Sequence, residues 1–225
     1  MEKELNKAVL AQINIPEDTA HIFAETAHRF EEMMMMYQCA IQEVTTKLEV
    51  LSREMSVRNN RNPIETIKYR IKKPKSIAEK LIKNGYDVNV ESASKHLNDV
   101  AGVRVICSFI EDIYTIAEML TRQDDIHLIK VKDYIKNPKE NGYRSYHMII
   151  EIPVFFSDRK QHMRVEVQIR TMAMDFWASL EHQVRYKKNI PNSDDMAKRL
   201  KKCADVIAAT DAEMLNIARE IDLVN

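Results

Sequence analysis

The sequence predicts a mixed α/β (α+β) fold in which helices flank a β-sheet, and three observations lead to this class. A helical pattern over 17–56 has apolar or small residues at spacings of four and three. Several strand-like runs follow, and the run over 100–109 is almost continuously apolar, as in a buried strand. A second long helical pattern begins near Ser193. Strands mixed with helices between two helical ends are typical of a sheet covered by helices.

The first predicted helix carries a heptad repeat, whose positions are Phe23, Ala27, Phe30, Met34, Tyr37, Ile41, Val44, Leu48, Leu51 and Met55. Such a seam requires a partner, and two candidates stay open: the sheet of the same chain and another subunit. The four methionines at 33–36 are interpreted as packing residues, because Met34 lies on the seam and thioether side chains adapt well to apolar contacts.

Proline and glycine residues divide the middle of the chain. Pro63 interrupts it, and a short helix is predicted from there to about Lys68. Pro74 is expected in the first turn of the next helix, and Gly85 is expected to cap its C-terminal end. The further predicted elements are helices over 74–84, 91–97, 111–122, 172–187 and 193–223, and strands over 100–109, 126–131, 144–152 and 163–170.

The strand predicted over 163–170 has one apolar and one polar face. Its apolar residues alternate with Arg164, Glu166, Gln168 and Arg170. Such a polar face is either solvated or lines a site for a charged ligand. The loop before the preceding strand places lysines, Gly142 and Tyr143 near the same sheet, which favours a phosphorylated ligand that contains a base.

Composition excludes several classes of protein. The 225 residues include 34 basic and 34 acidic side chains, and this neutral balance argues against a general nucleic-acid binder. Nine basic residues and two acidic ones lie over 58–83, which suits a small polyanion. No apolar run approaches the ~20 residues of a membrane span, and the N-terminus MEKELNKAVL lacks the apolar core of a secretion signal. Three scattered cysteines without a CxxC pair predict a reduced, cytoplasmic protein.

Asp99 and Glu166 are the candidate magnesium ligands, because Mg²⁺ binds a few carboxylates together with substrate phosphates and water. A turn cap at Asp99 and a solvated Glu166 are the structural alternatives. Arg104 lies within an apolar strand, where a guanidinium requires an anionic partner, either an internal carboxylate or a ligand in the site. Asp99 and Arg104 are five positions apart, so a bulge near Gly102 is expected if both face one site.

Cations and aromatic residues elsewhere suggest how nucleotides bind. The basic run from Arg70 to Lys80 crosses a turn and a helix start, where phosphate binds well, although most such runs are solvated faces. Tyr143, between Lys139 and Arg144, suits stacking on a base, and a packed tyrosine is the alternative. No HExxH or GxxxxGK[ST] motif is present, which argues against a zinc protease and a P-loop enzyme.

Four runs of the sequence resemble one known family. They are NPIETIKYRIKKPKSIAEKL, NDVAGVRVICSFIEDIY, KDYIKNPKENGYRSYH and VEVQIRTMAMDFWASLEHQVRYK. In this order they resemble the small alarmone synthetases, the single-domain relatives of the RelA/SpoT enzymes. The resemblance covers roughly 62–188 and implies a nucleotidyltransferase-like mixed sheet. It implies one synthetase domain, with an N-terminal helical region (1–57), a catalytic core (58–188) and a C-terminal helix used for oligomerisation (189–225).

The resemblance implies Mg²⁺-dependent transfer of pyrophosphate from ATP to the 3′-hydroxyl of GDP or GTP, giving ppGpp or pppGpp and AMP in the stringent response. Asp99 and Glu166 become the expected catalytic and metal-binding pair. Arg70 is expected to stack on adenine, and the other ATP-binding residues are Lys72, Lys80, Arg104 and Lys132. Tyr143 is expected to stack on guanine, and the other guanosine-nucleotide-binding residues are Lys139, His147 and Gln168.

The family resemblance also predicts partners and absences. The sequence contains no His-Asp dipeptide, so the metal motif of the hydrolase domain is missing and synthesis alone is expected. A homotetramer formed through the terminal helices would give the heptad seam its partner. An effector, either pppGpp or RNA, is possible in this family, whereas binding to a membrane or to DNA is not expected.

Three rival interpretations differ in what they predict. The first is an RNA-binding or nucleotide-binding regulator with weak catalysis that uses 58–83; it predicts RNA binding unaffected by Asp99→Ala. The second is AMP transfer on the same fold, which releases pyrophosphate instead of AMP. The third is a structural helical assembly protein, which leaves the polar face of 163–170 without a role.

Overall fold

The computed structural model describes residues 17–58, 61–186 and 193–221, and in these ranges the chain forms six helices and five strands. In chain order they are α1 (Glu17–Arg58), β1 (Ile64–Ile71), α2 (Pro74–Lys83), α3 (Val90–His96), β2 (Ala101–Cys107), α4 (Ile110–Thr121), β3 (His127–Asp133), β4 (Tyr146–Phe155), β5 (Lys160–Thr171), α5 (Met172–Tyr186) and α6 (Ser193–Glu220). The predicted mixed α/β class is confirmed. The N-terminal segment used above to argue against secretion lies outside the described residues.

The strands form one sheet in the order β1-β2-β5-β4-β3. β2 and β5 are parallel, and the other neighbouring strands are antiparallel. β5 is therefore the middle strand and has a hydrogen-bonded neighbour on each side. Its predicted alternation is confirmed, because Met163, Val165, Val167 and Ile169 are all buried in the core while Glu166 and Gln168 lie half-buried on the opposite face.

The short helix predicted after Pro63 is wrong, because residues Ile64–Ile71 form the edge strand β1. Thr66 and Ile67 are β-branched and Tyr69 is aromatic, so they favour an extended chain once a partner strand is available. β1 pairs with β2 on one side only, and Ile64 is its single fully buried residue. The strand therefore lacks the alternation of buried and exposed residues that would have revealed it.

The heptad seam of α1 packs mainly on the sheet of its own chain. Tyr37, Ile41, Val44, Leu48, Leu51 and Met55 are buried in the same core cluster as β2, β4 and β5. In the methionine run the fully buried residue is Met33 and not the predicted seam residue Met34. Ala27 is exposed, and the side chain of Phe23 lies outside the described residues. Despite the length of α1, none of the helices in the described ranges is long and apolar enough to cross a membrane.

The C-terminal helix α6 packs on α5 and on the loop before β4. The Trp177 indole N–H donates to the carbonyl oxygen of Leu200 at 2.9 Å, which ties α5 to α6. Asp211 of α6 is buried, and its carboxylate accepts a hydrogen bond from the Thr171 hydroxyl at 2.6 Å.

Candidate active site

Two neighbouring cavities lie along the polar face of the sheet and share one carboxylate. The first has a volume of about 230 Å³ and is lined by Lys68, Tyr69, Arg70, Gly102, Val103, Arg104, Glu166 and Gln168. The second has a volume of about 300 Å³ and is lined by Lys80, His96, Asn98, Asp99, Lys130, Lys132, Tyr134, Lys139, His147, Ile149 and Glu166. Glu166 lines both cavities, so two ligands bound side by side would meet at this side chain.

Strand register builds the first cavity. Arg70 of β1 is paired with Gly102 of β2, which is paired with Glu166 of β5. Two residues away on the same face of the sheet, Lys68 of β1 is paired with Arg104 of β2, which is paired with Gln168 of β5. Gly102 has no side chain between its two neighbours, and a Cβ there would lie 3.6 Å from Cγ of Arg70. The Arg70 side chain therefore lies directly over Gly102, at a distance where a Cβ would make an ordinary contact.

The first cavity is rich in cations. Asp175, at the start of α5, accepts hydrogen bonds from Lys68 at 3.1 Å and from Arg104 at 3.2 Å. Burial and the nearby Arg170 guanidinium lower the pKa of Arg104 from its ordinary value, and the Asp175 carboxylate opposes this effect. The Arg104 Nε atom is buried without a hydrogen-bond partner among the described residues. An anionic ligand is the partner that would complete this arrangement.

Asp99 lies between two lysines at the second cavity. Its Oδ2 atom accepts hydrogen bonds from Lys72 at 2.6 Å and from Lys80 at 2.7 Å. Burial raises the pKa of Asp99, but the two lysines outweigh burial and hold the pKa below its ordinary value. The Oδ1 atom is buried and has no partner in the part of the chain that the structure describes. Asp99 is therefore ionised at neutral pH and keeps one oxygen available to a ligand.

Glu166 receives a hydrogen-bond donor at each carboxylate oxygen. The Gln168 amide donates to Oε2 at 2.8 Å, and Nδ1 of His147 lies 3.4 Å from Oε1. Burial raises the pKa of Glu166, but His147 and Gln168 outweigh that effect, and the pKa lies below its ordinary value. Glu166 is therefore a carboxylate at neutral pH and can accept a proton from a bound hydroxyl group.

Three aromatic rings and a lysine cluster beside the second cavity, which Tyr134, Lys139 and His147 line. Tyr134, Tyr143 and His147 contact one another edge to face, with ring centroids 5.2–5.9 Å apart. The Lys139 ammonium lies 4.7 Å from the Tyr134 ring centroid and 4.8 Å from that of Tyr143. Flat rings beside a cation suit a purine that carries phosphate.

The structure divides the predicted site residues between the two cavities. Arg70, Arg104 and Gln168 line the first, whereas Asp99, Lys80, Lys132, Lys139 and His147 line the second. Lys80 and Lys132 were grouped with Arg70 as ATP-binding residues, yet they line the other cavity. Lys72 binds Asp99, and Tyr143 contacts the second cavity through His147.

The predicted bulge near Gly102 is absent from the described strand. β2 pairs with β5 without a shift from Ala101 to Cys107, and its pairing with β1 is regular across Gly102. Asp99 instead precedes β2, in the loop after α3. A bulge is unnecessary because Asp99 and Arg104 serve neighbouring cavities.

The sequence assigned no role in the site to Asp175, Tyr134 or Arg170. Asp175 organises two cations of the first cavity, Tyr134 lines the second cavity, and Arg170 contacts Asp175 and Tyr143. Tyr134 follows Lys132 by two positions in the loop-forming run, which was the available signal. Asp175 carries no local signal, because its partners come from β1, β2 and β5.

Asp99 and Glu166 are the side chains that fit a divalent cation. The described residues contain no group of three or more His, Cys, Asp or Glu side chains arranged for metal binding. Mg²⁺ needs fewer protein ligands, because it takes one or two carboxylates and completes its shell with phosphate oxygens and water. The partnerless Oδ1 of Asp99 and the ionised Glu166 at the same cavity provide such a pair.

Residues 69–191 match the protein family described as "Region found in RelA / SpoT proteins". Over 189 residues the chain is 43% identical to the GTP pyrophosphokinase YwaC of Bacillus subtilis, which covers 84% of this chain and 90% of the relative. It is 34% identical over 196 residues to the GTP pyrophosphokinase YjbM of the same organism, which covers 86% of this chain and 90% of that relative.

Solved structures show the same architecture. The crystal structure of small alarmone synthetase 2 from B. subtilis matches with a TM-score of 0.76 at 41% identity, covering 85% of this chain and 98% of that one. Small alarmone synthetase 1 from B. subtilis, solved with its product pppGpp, matches with a TM-score of 0.77 at 34% identity, covering 85% and 97%. All residues predicted above for the two nucleotides and the metal lie within the matched range 69–191.

Proposed function

The chain belongs to the RelA/SpoT family, and we propose that it is a small alarmone synthetase, a GTP pyrophosphokinase that uses ATP to pyrophosphorylate GDP or GTP. The observation that carries this proposal is the pair of cavities that share Glu166. Two nucleotides and one carboxylate between them are what transfer from one nucleotide to the other requires. The relative solved with pppGpp supports a guanosine product.

ATP binds in the first cavity. Arg70, on the open edge strand, stacks on adenine, and Arg104 faces the phosphates from the next strand. The phosphate chain extends past Glu166 toward Lys72 and Lys80, which bind Asp99 at the second cavity. Three cations along this path neutralise the negative charge of the transferring group, which is the main task of a phosphoryl-transfer enzyme.

The guanosine nucleotide binds in the second cavity. Tyr143 stacks on guanine, and Lys139, which lies over the Tyr143 ring, meets the phosphates. Lys132 adds a cation at the same cavity and is assigned here to the acceptor rather than to ATP. His147 lines this cavity beside Glu166 and binds the nucleotide there. Gln168, which was grouped with the guanosine-binding residues, lines the first cavity and acts on the acceptor through its hydrogen bond to Glu166.

In the transfer step one P–O bond forms and another P–O bond breaks. The 3′-oxygen of the acceptor attacks the β-phosphorus of ATP, and the bond from that phosphorus to the oxygen shared with the α-phosphate breaks. AMP leaves with this oxygen and the electron pair. Glu166 accepts the proton of the 3′-hydroxyl, or orients this hydroxyl for attack, because it is ionised and lies between both ligands.

A divalent cation, Mg²⁺, is held by Asp99 and Glu166 in this proposal. When bound, it would neutralise charge on the transferring phosphates. Asp99 contributes its Oδ1 atom, since Lys72 and Lys80 already occupy Oδ2.

We further propose a homotetramer. The terminal helices are the interface that the family resemblance implies. An apolar stripe on α5, formed by Met172, Phe176 and Leu180, is also exposed at successive helical turns and offers a further contact surface. A mass measurement in solution checks this, and a monomer at micromolar concentration would contradict it. The cytoplasmic location, the role in the stringent response and an effector such as pppGpp or RNA stay predictions of the family resemblance.

The reaction is tested by incubating the protein with ATP, GDP or GTP, and Mg²⁺, and separating the nucleotides by anion-exchange chromatography. AMP together with ppGpp or pppGpp is expected, and Glu166→Gln should lower the rate about 10²-fold or more. Release of pyrophosphate instead of AMP would identify nucleotidyl transfer. Binding of both nucleotides without any product would favour the regulator interpretation.

A further inference from the structure

Five side chains, one of them the shared carboxylate Glu166, form a closed ring of polar contacts. Nη2 of Arg170 donates to the Tyr143 hydroxyl at 2.5 Å and to Oε1 of Gln168 at 2.9 Å. From Tyr143 the ring continues to Nε2 of His147 at 2.8 Å and then to Glu166 at 3.4 Å. From Gln168 it reaches the other oxygen of Glu166 at 2.8 Å. Arg170 and Glu166 therefore stand at opposite ends of two parallel arms.

The chemistry of Arg170 fixes the direction of both arms. A guanidinium group only donates hydrogen bonds, so the Tyr143 oxygen accepts from Arg170. At the other end of this arm the Glu166 carboxylate only accepts, so a neutral His147 ring carries its proton on Nδ1, and its Nε2 atom accepts from the Tyr143 hydroxyl. Likewise Gln168 must turn its carbonyl oxygen to Arg170, which aims its NH₂ group at Glu166. Both arms thus point donors at the same carboxylate.

Arg170 itself is held rigidly. Its side chain is only 5% exposed, and Nη1 donates to Oδ1 of Asp175 at 3.2 Å. Nε donates to the hydroxyl of the fully buried Ser145 at 3.2 Å. Asp175 is also bound by Arg104 and Lys68, so the anchor of Arg170 is shared with the first cavity. A buried guanidinium with partners on all three nitrogens has no other orientation available.

We propose that Arg170 is a positioning residue for the transfer reaction, which orients Glu166 through Gln168 and through Tyr143 and His147 while it fixes the Tyr143 ring for the acceptor nucleotide. This inference rests on the proposed function. Arg170 lines neither cavity in the described structure, so its effect on the nucleotides passes through the other ring members.

Arg170→Lys tests the proposal, because lysine keeps the charge but cannot bind four partners with a planar fork. Since a hydrogen bond to a charged group is able to shift an equilibrium about tenfold, we expect kcat to fall about tenfold or more. The KM for GDP should rise about tenfold, whereas the KM for ATP should stay within about twofold. If Arg170 had only a structural role, Arg170→Lys would lower the melting temperature without changing the ratio of the KM for GDP to the KM for ATP.

Tyr143→Phe provides a second variant, which keeps the stacking ring and removes only the hydroxyl that joins Arg170 to His147. We expect kcat to fall and the KM for GDP to rise, as in Arg170→Lys but by smaller factors. The double variant of Arg170→Lys and Tyr143→Phe should have the kinetics of Arg170→Lys alone, and its change should not be the product of the two single changes. If Arg170→Lys does not fold, the Tyr143→Phe kinetics decide. Independent, multiplicative effects, or an unchanged KM for GDP in Tyr143→Phe, would overturn the proposal.

The matched control is Asp112→Asn. Asp112 is a buried carboxylate that binds Arg61 at 2.9 and 2.5 Å and lines neither cavity. It should lower the melting temperature without changing the ratio of the KM values. Production of ppGpp by the wild-type protein tests the proposed function separately. If the wild-type protein makes none, the affinity for GDP measured by calorimetry still tests the positioning role, and equal affinities in wild type and Arg170→Lys would refute it.

Discussion

Replacing Gly142 by alanine is expected to destabilise the protein and to weaken binding of the guanosine nucleotide. Gly142 lies in the loop that carries Lys139 and Tyr143, and its φ of +88° belongs to the left-handed region that residues with a Cβ rarely adopt. A Cβ atom at this position would lie 2.5 Å from Cβ of Ala204 in α6. The loop and the C-terminal helix therefore touch at a place where only a glycine fits.

Two costs combine in Gly142→Ala. A left-handed conformation costs a residue with a Cβ about 1–2 kcal/mol. Overpacking against Ala204 costs about 1–3 kcal/mol more, and the total is about 2–5 kcal/mol of unfolding free energy. Gly85 is the matched control, because its φ is +77° but a Cβ added there would have nothing within 4 Å. Gly85→Ala should therefore show the conformational cost alone, about 1–2 kcal/mol.

Denaturant unfolding of both variants measures the difference between the two costs, and steady-state kinetics measures its effect on the site. Gly142→Ala should lose more stability than Gly85→Ala and should raise the KM for GDP, because the loop must move away from α6. Adding Ala204→Gly should recover the overpacking cost, less about 1 kcal/mol for glycine within a helix. Equal losses in the two alanine variants, or no recovery with Ala204→Gly, would refute the contact as the cause.

Two further predictions concern the cavities and the C-terminal helix. Arg70→Ala should raise the KM for ATP and leave the KM for GDP nearly unchanged, and Lys139→Ala should raise the KM for GDP and leave the KM for ATP nearly unchanged. If steady-state kinetics show that both variants raise the KM of the same nucleotide, the division of the site between two cavities is contradicted. Burial raises the pKa of Asp211, and the Thr171 hydroxyl only partly opposes this, so Asp211 favours folding below the unfolded pKa of about 3.9 and loses that contribution as the pH rises through its folded pKa. Asp211→Asn should therefore melt at a higher temperature than wild type at pH 7, with a difference that shrinks toward pH 4; a constant difference would contradict the titration.

The sequence predicted the elements whose burial is periodic. α1 and β5 have one apolar face each, and their spacing was visible without knowledge of a partner. β1 was missed because an edge strand with a single fully buried residue has no such period. Its identity depends on hydrogen bonds to β2, a strand that lies about 30 residues later in the chain. Pairing between distant segments is the information that local propensity lacks.

The same limit explains which parts of the site could be predicted. The sequence suggested Asp99 and Glu166 as candidate magnesium ligands, and the family resemblance led to the same pair, but how the predicted site residues divide between two cavities depends on the strand order. Lys132 illustrates this point. It is paired with His147 of β4, and β4 lies on the other side of β5 from β1, the strand that carries Arg70. Asp175 was missed because its role arises only where β1, β2 and β5 meet the start of α5.

The position of β5 explains why one carboxylate lines two cavities. β5 is the third of five strands, so its polar side chains border β2 on one side and β4 on the other. Glu166 is paired with Gly102 on the β2 side and with Ile149 on the β4 side, and each of these partners lines a different cavity. A carboxylate on an edge strand could reach only one of them. The middle strand is therefore where the residue that accepts the proton must lie if donor and acceptor nucleotides bind side by side.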